Sequence, residues 1–123
     1  MRQFLIRLLI VAFAYALAVT TASAHAFLEK AVPGVGTTVR HSPSELQLDF
    51  TEGVVPAFSG VTISALGGKP IPTEKPMLDR AKQNILQVRL HSPLRPGTYV
   101  VAWHVVSVDT HRTSGTYKFT VAP

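Results

Sequence analysis

The sequence predicts an all-β domain, built as an antiparallel Greek-key β-sandwich or small barrel of about seven strands. Three observations support this prediction. Short segments alternate polar and apolar residues with a period of two, glycine and proline turn signals separate these segments at short intervals, and no helical period occurs after residue 24. The elements are taken in chain order below.

Residues 1–24 have the pattern of a secretory signal peptide. Arg2 and Arg7 give a positive start, residues 8–19 are uncharged and mostly apolar, and residues 22–24 read Ala-Ser-Ala, a small-x-small cleavage pattern. We expect cleavage after Ala24, which leaves a domain of residues 25–123. The alternative, an uncleaved anchor, is disfavoured because the apolar run is shorter than the roughly 20 residues that span a bilayer.

The first half of the domain predicts three strands. Residues 26–32 form a short strand that Pro33 and Gly34 end, and residues 45–50 alternate cleanly. Residues 61–65 form the third strand. In the strand of residues 45–50, Leu46, Leu48 and Phe50 face inward. Glu52 shares their parity, so its carboxylate must lie at the wet end of the strand or find a partner.

The second half predicts three more strands after an irregular stretch. Residues 69–84 contain Pro70, Pro72 and Pro76, which cannot join a central ladder. The strands that follow are residues 85–90, 98–108 and 116–121.

Composition limits the classes of function. Two of the twelve basic residues lie in the signal segment, so the remaining ten exceed the seven acidic residues by three. This mild, dispersed excess does not indicate nucleic-acid binding. The absence of cysteine excludes thiolate metal sites and redox thiols, and a core of roughly 100 residues must hold the domain without disulfides.

The segment 103–119 carries half of a candidate metal site. If the strand that contains Trp103 continues, Ser107, Asp109 and His111 fall on the same side of it, because strand side chains repeat every two residues. A carboxylate and an imidazole then point the same way. The alternative interpretation is ordinary turn sequence, which Asp-Thr-His also fits.

His25 supplies the other half. As the first residue after cleavage, it offers its α-amine and its imidazole Nδ1 to one metal in a six-membered chelate ring, which no internal residue can form. The amine has a reference pKa of about 7.7 to 8.0, so a metal can displace its proton near neutral pH. The alternative is that cleavage leaves a histidine there by chance.

Together, His25, Asp109 and His111 give three nitrogens and one carboxylate. This set suits tetragonal Cu(II) and excludes magnesium and calcium; zinc or nickel could also occupy it, although copper ranks highest in affinity. Glu52 is a candidate to orient an imidazole or the terminal amine by hydrogen bonding, with a solvated strand-end charge as the alternative.

The other histidines and the methionine are expected to lie outside the site. His104 has the opposite parity from Trp103, which indicates a surface or inter-sheet position. His41 and His91 each precede Ser-Pro in loop-like sequence. Met77 is the only methionine after residue 24, so no thioether cluster for Cu(I) can form.

These residues resemble the periplasmic copper-resistance family CopC, and within it the small YobA-like branch. The similar positions are His25 and the segments 49–53, 58–60, 96–99 and 103–121. The resemblance implies a seven-stranded, cupredoxin-like (Ig-like) sandwich that carries Cu(II), with ligands at His25, Asp109 and His111 and Glu52 at the nearby acidic position. Some relatives hold Cu(I) in a methionine-rich loop; residues 67–77, the corresponding region, lack those methionines.

The expected function is therefore periplasmic Cu(II) binding for sequestration or delivery, without catalysis. Copper is the expected partner, and any inner-membrane copper-transport protein is expected to be a separate chain. The protein is also expected to be a monomer and to bind no nucleic acid. Two alternatives remain open at this point. One is a histidine-brace copper monooxygenase, and the other is a metal-free sandwich that acts as an interaction module.

Overall fold

The computed structural model describes residues 25–123, so the predicted signal peptide and its cleavage site lie outside the described residues. Within the described range the regular secondary structure is nearly all strand, which confirms the all-β prediction. A short 3₁₀ helix, Pro56–Phe58, lies between the third and fourth strands. The strands are β1 (Leu28–Val32), β2 (Thr38–Val39), β3 (Glu45–Phe50), β4 (Gly60–Ala65), β5 (Pro70–Ile71), β6 (Met77–Leu78), β7 (Ile85–Arg89), β8 (Gly97–Val106) and β9 (Arg112–Val121).

The strands form two sheets. The four-stranded sheet has the order β1-β3-β7-β6, and the five-stranded sheet has the order β2-β9-β8-β4-β5. Strand pairs are antiparallel throughout these two sheets except for β2, whose two residues pair with the end of β9 in parallel. The predicted antiparallel sandwich is therefore confirmed, with one parallel edge.

The strands differ from the predicted ones in three places, the first of which is the two-residue strand β2, where no strand was predicted. The proline-rich stretch 69–84, predicted to be irregular, contributes the two-residue strands β5 and β6 at the sheet edges. Pro70 is tolerated there because an edge strand does not need every N–H for pairing. The long hairpin also turns earlier than predicted, since β8 ends at Val106 and β9 begins at Arg112.

The alternating residues form the core between the sheets. Leu46, Leu48 and Phe50 of β3 are fully buried, as predicted. The Phe50 ring packs edge-on against the Trp103 indole of β8, with ring centroids 5.1 Å apart. This contact joins the two sheets near the end of the sandwich at which β3 stops and the polypeptide from residue 25 enters.

Within residues 25–123, no helix has the length and apolar character needed to cross a membrane.

Candidate metal centre

The tip of the β8–β9 hairpin is a tight turn over residues 107–111. The amide of Ser107 donates to the carbonyl of His111 at 2.9 Å, and the amide of Thr110 donates to the carbonyl of Ser107 at 2.9 Å. Thr110 has φ of 74°, the left-handed conformation that lets the chain reverse. The predicted continuation of the strand through His111 is therefore wrong, because the chain turns after Val106.

The turn nevertheless brings Asp109 and His111 into contact. Asp109 Oδ2 lies 3.1 Å from His111 Nδ1. The Ser107 hydroxyl donates to Asp109 Oδ1, and Ser107 is fully buried. Because this contact assigns the ring proton to Nδ1, the Nε2 nitrogen of His111 keeps a lone pair that can bind a metal ion. The His111 side chain is 54% exposed.

Hydrogen bonds also keep the Asp109 carboxylate ionised. The Ser107 hydroxyl is the main cause that holds the pKa of Asp109 below its ordinary value, and His111 adds to this effect through its side chain and its backbone amide. Partial burial acts in the opposite direction but is outweighed. The carboxylate therefore carries its charge at neutral pH.

Residues 25–27 form an N-terminal arm that four hydrogen bonds hold at this end of the sandwich, one of them from the Thr51 hydroxyl to the His25 carbonyl at 3.2 Å. The Thr51 amide donates to the Phe27 carbonyl at 2.9 Å, and the Phe27 amide donates to the Thr51 hydroxyl oxygen at 3.0 Å. The Thr113 hydroxyl donates to the Ala26 carbonyl at 2.6 Å. Ala26 is fully buried, so the arm is anchored between the end of β3 and the start of β9.

This anchoring brings His25 against His111. Their ring centroids are 4.5 Å apart, with the ring planes at 70°. His25 Nδ1 is buried and has no hydrogen-bond partner. A buried polar atom without a partner is costly and is often explained by an ion that completes the site. This nitrogen is also the one that an N-terminal histidine chelate uses.

The three predicted ligands are joined by two contacts, His25 to His111 and His111 to Asp109. Among residues 25–123, however, no three histidine, aspartate or glutamate side chains already form a closed ligand set. The nitrogen of His25 that would be its α-amine after cleavage is, in the unprocessed chain, an amide nitrogen bonded to Ala24.

The other histidines and the methionine lie away from the contact between His25 and His111. His104 is exposed, and its ring lies over Gly60, which agrees with the predicted surface position. His41 and His91 are exposed, as predicted. Met77 is also exposed.

Glu52 is half-buried just after β3. Among residues 25–123, the carboxylate that forms an ion pair with a histidine is that of Asp109, with His111, and not that of Glu52. Its orienting role stays a prediction.

A groove of about 770 Å³ lies on the outer side of the same hairpin. Phe58, His104 and Arg112 line it, together with Thr110 and other residues of β8 and β9, but none of the three predicted ligands does. The groove is therefore separate from the contact between His25 and His111.

The supporting residues Ser107 and Thr113 were not assigned roles from the sequence. Ser107 shares the inward parity of Trp103, which is an unusual place for a hydroxyl and was the available signal. Thr113 offered no local signal, because its partner lies 87 positions earlier in the chain.

A model of the CopC domain matches residues 28–122. The chain belongs to the CopC family. It is 41% identical to the protein YobA of Escherichia coli (strain K12) over 114 residues, which cover 87% of this chain and 92% of YobA.

Solved CopC structures share the fold. CopC from Methylosinus trichosporium OB3b aligns with a TM-score of 0.75 at 36% identity, covering 80% of this chain and 95% of that one. PcoC, a methionine-rich copper resistance protein from Escherichia coli, aligns with a TM-score of 0.72 at 32% identity, covering 80% of this chain and 99% of PcoC. Membership of this family indicates a copper-related function and confirms the resemblance drawn from the sequence.

Proposed function

We propose that this CopC-family protein binds Cu(II) in the periplasm and sequesters or delivers it, with His25, Asp109 and His111 as ligands once the signal peptide is removed. The observation that carries the proposal is the buried, unpartnered Nδ1 of His25 beside the ring of His111. These two residues are 86 positions apart in the chain, and only the fold brings them together.

Each donor has a specific role. His25 provides its freed α-amine and Nδ1, which chelate one ion. His111 provides Nε2, because its Nδ1 faces Asp109 at 3.1 Å. Asp109 provides a carboxylate oxygen; each of its oxygens has two lone pairs, so a hydrogen bond to His111 or Ser107 leaves capacity for the metal.

The donor types favour copper in its oxidised state. Three nitrogens and one carboxylate oxygen suit tetragonal Cu(II), and copper stands at the top of the divalent affinity order. The ligands also sit on a turn and an arm that hydrogen bonds already hold, so little ordering remains when the ion arrives. We assign the protein a binding role and no catalytic step.

Delivery implies a partner. We propose that a separate inner-membrane copper-transport protein receives or supplies the ion and that the protein acts as a monomer. Fractionation of cells that express the full-length chain tests the location: we expect the processed protein in the periplasmic fraction, and retention of the full-length form in the membrane would contradict it.

Substitution of His111 tests the ligand assignment. Mass spectrometry of the secreted protein first establishes that His25 is the first residue. Copper affinity is then measured by competition with a chelator for the wild type, His111→Ala and His91→Ala. His91 is the matched control because it follows β7 at the opposite end of β3, where Arg89 pairs with Glu45.

We expect His111→Ala to weaken Cu(II) binding more than 10- to 100-fold, the range seen when residues that merely orient a ligand are lost. His91→Ala should bind like the wild type. Equal affinity of all three proteins would reject the ligand assignment.

A further inference from the structure

We propose that Thr113 is a positioning residue of the copper site, and that its hydroxyl sets the spacing between the two histidines. The inference rests on the proposed function and extends it from the ligands to the residue that aligns them. Thr113 touches no predicted ligand side chain; it acts through the main chain of the N-terminal arm.

The hydrogen bond lies between the two ligand-bearing segments. The Thr113 hydroxyl donates to the carbonyl of Ala26 at 2.6 Å. Ala26 follows His25 directly, and Thr113 is two residues beyond His111 on the hairpin. One hydrogen bond therefore joins the arm to the hairpin within two residues of each imidazole.

Thr113 lies where an apolar residue would normally complete the core. It has the same parity in β9 as Tyr117 and Phe119, both of which are buried. At this end of the sandwich the hydroxyl instead meets a carbonyl that β-sheet pairing does not use. A valine would fill the same volume and keep the strand, but it could not donate this hydrogen bond.

The arm has a second anchor that does not involve the hairpin. Thr51, after the end of β3, exchanges hydrogen bonds with Phe27 through its amide and its hydroxyl, and its hydroxyl also donates to the His25 carbonyl at 3.2 Å. This anchor holds the arm to the four-stranded sheet, whereas Thr113 holds it to the five-stranded sheet. Without the Thr113 hydroxyl the arm should stay docked on β3, while the distance from His25 to His111 becomes less well fixed.

Loss of this tether should weaken copper binding without unfolding the protein. Donors that are less well aligned must be ordered when the ion binds, which lowers affinity. We expect Thr113→Val to raise the Kd for Cu(II) about five- to tenfold, the effect of losing one hydrogen bond.

The experiment uses the processed protein that begins at His25. Cu(II) affinity is measured by chelator competition and the donor set by electron paramagnetic resonance for wild type, Thr113→Val, Thr113→Ser and Thr120→Val. Thr120→Val is the matched control: it makes the same change in the same strand and removes the hydroxyl contact with Thr98 at 3.0 Å, at the far end of β9.

Thr113→Val should bind Cu(II) more weakly and show an altered or mixed paramagnetic signal, Thr113→Ser should restore both, and Thr120→Val should match the wild type. In the copper-free protein, nuclear Overhauser contacts between the rings of His25 and His111, whose centroids are 4.5 Å apart, should weaken in Thr113→Val only. Thr113→Ala, which removes the hydroxyl without adding volume, repeats the test should Thr113→Val not fold.

The inference is overturned if the wild type binds Cu(II) and Thr113→Val binds it as tightly, with the same signal as Thr120→Val. Failure of the proposed function looks different, because the wild type itself then does not bind Cu(II). Weaker ring contacts between His25 and His111 in copper-free Thr113→Val would still support the tether in that case, and unchanged contacts would reject it.

Discussion

Replacement of Gly115 by alanine should destabilise the hairpin that carries the site. Gly115 pairs with Trp103 across β8 and β9. A Cβ atom at residue 115 would lie 2.7 Å from Cζ2 and 2.9 Å from Cε2 of the indole. Trp103 is only 8% exposed and packs on Phe50, so the indole cannot move aside without disturbing the core.

The expected cost follows from two opposing effects. Overpacking a well-filled site costs about 1–3 kcal/mol, whereas the lower unfolded-state entropy of alanine returns about 0.4–1 kcal/mol. We therefore expect Gly115→Ala to lower the free energy of unfolding by about 1–2 kcal/mol.

Trp103 is the only tryptophan in the sequence, so its fluorescence reports unfolding at this position. In a urea titration, an m-value of about 1–3 kcal/mol/M places the midpoint roughly 0.3–2 M below that of the wild type. The emission of the folded variant should also change, because the new methyl group displaces the indole.

Gly60→Ala is the matched control. A Cβ atom at residue 60 would lie 2.3 Å from Cε1 of His104, a nominally worse clash. The His104 side chain is exposed, however, and can rotate into solvent. We expect a change within about 0.5 kcal/mol of the wild type. If Gly115→Ala proved as stable as Gly60→Ala, the argument that a buried, immovable indole sets the cost would be refuted.

Two further predictions concern buried hydroxyls and pH. The Tyr99 hydroxyl donates to the Arg95 carbonyl at 2.5 Å, whereas the buried Tyr117 hydroxyl has no partner. Thermal unfolding should therefore show Tyr99→Phe less stable by about 1 kcal/mol and Tyr117→Phe unchanged or more stable, and the opposite order would contradict this accounting. Ser107 holds the pKa of Asp109 below its ordinary value of 3.8. The charged carboxylate therefore stabilises the fold fully above pH 3.8, and this stabilisation is lost only as the pH falls through the lower pKa of the folded state. We expect Cu(II) affinity to be lower at about pH 5 than at about pH 7, because protons compete with the metal for its nitrogen donors, and equal affinity at the two pH values would exclude these donors.

The fold was predictable where local pattern and tertiary environment agree. The alternation in residues 45–50 appears in the structure as β3, with Leu46, Leu48 and Phe50 buried. The two-residue strands β2, β5 and β6 were not predictable, because so short a segment has no periodicity of its own and pairs only where the sheet edge receives it.

The contact between Asp109 and His111 was predicted from a continued strand, whereas the structure forms it through a turn. Strand parity pointed to Asp109 and His111, but a turn with Thr110 in the left-handed conformation is what joins them. The contact between Asp109 and His111 was predictable because two-residue spacing brings the two side chains together in either arrangement. The role of Thr113 depends on a contact with Ala26, and contacts between distant segments are not encoded in any local pattern.

The central claim is that the freed amine of His25 is one of the copper donors. It is tested most directly by comparing Cu(II) affinity and the paramagnetic signal of the protein that begins at His25 with those of a protein that retains Ala24 before it. The account predicts markedly weaker binding and one fewer nitrogen donor in the longer protein, although its side chains are identical from His25 onward. Equal affinity and an unchanged signal would contradict the account.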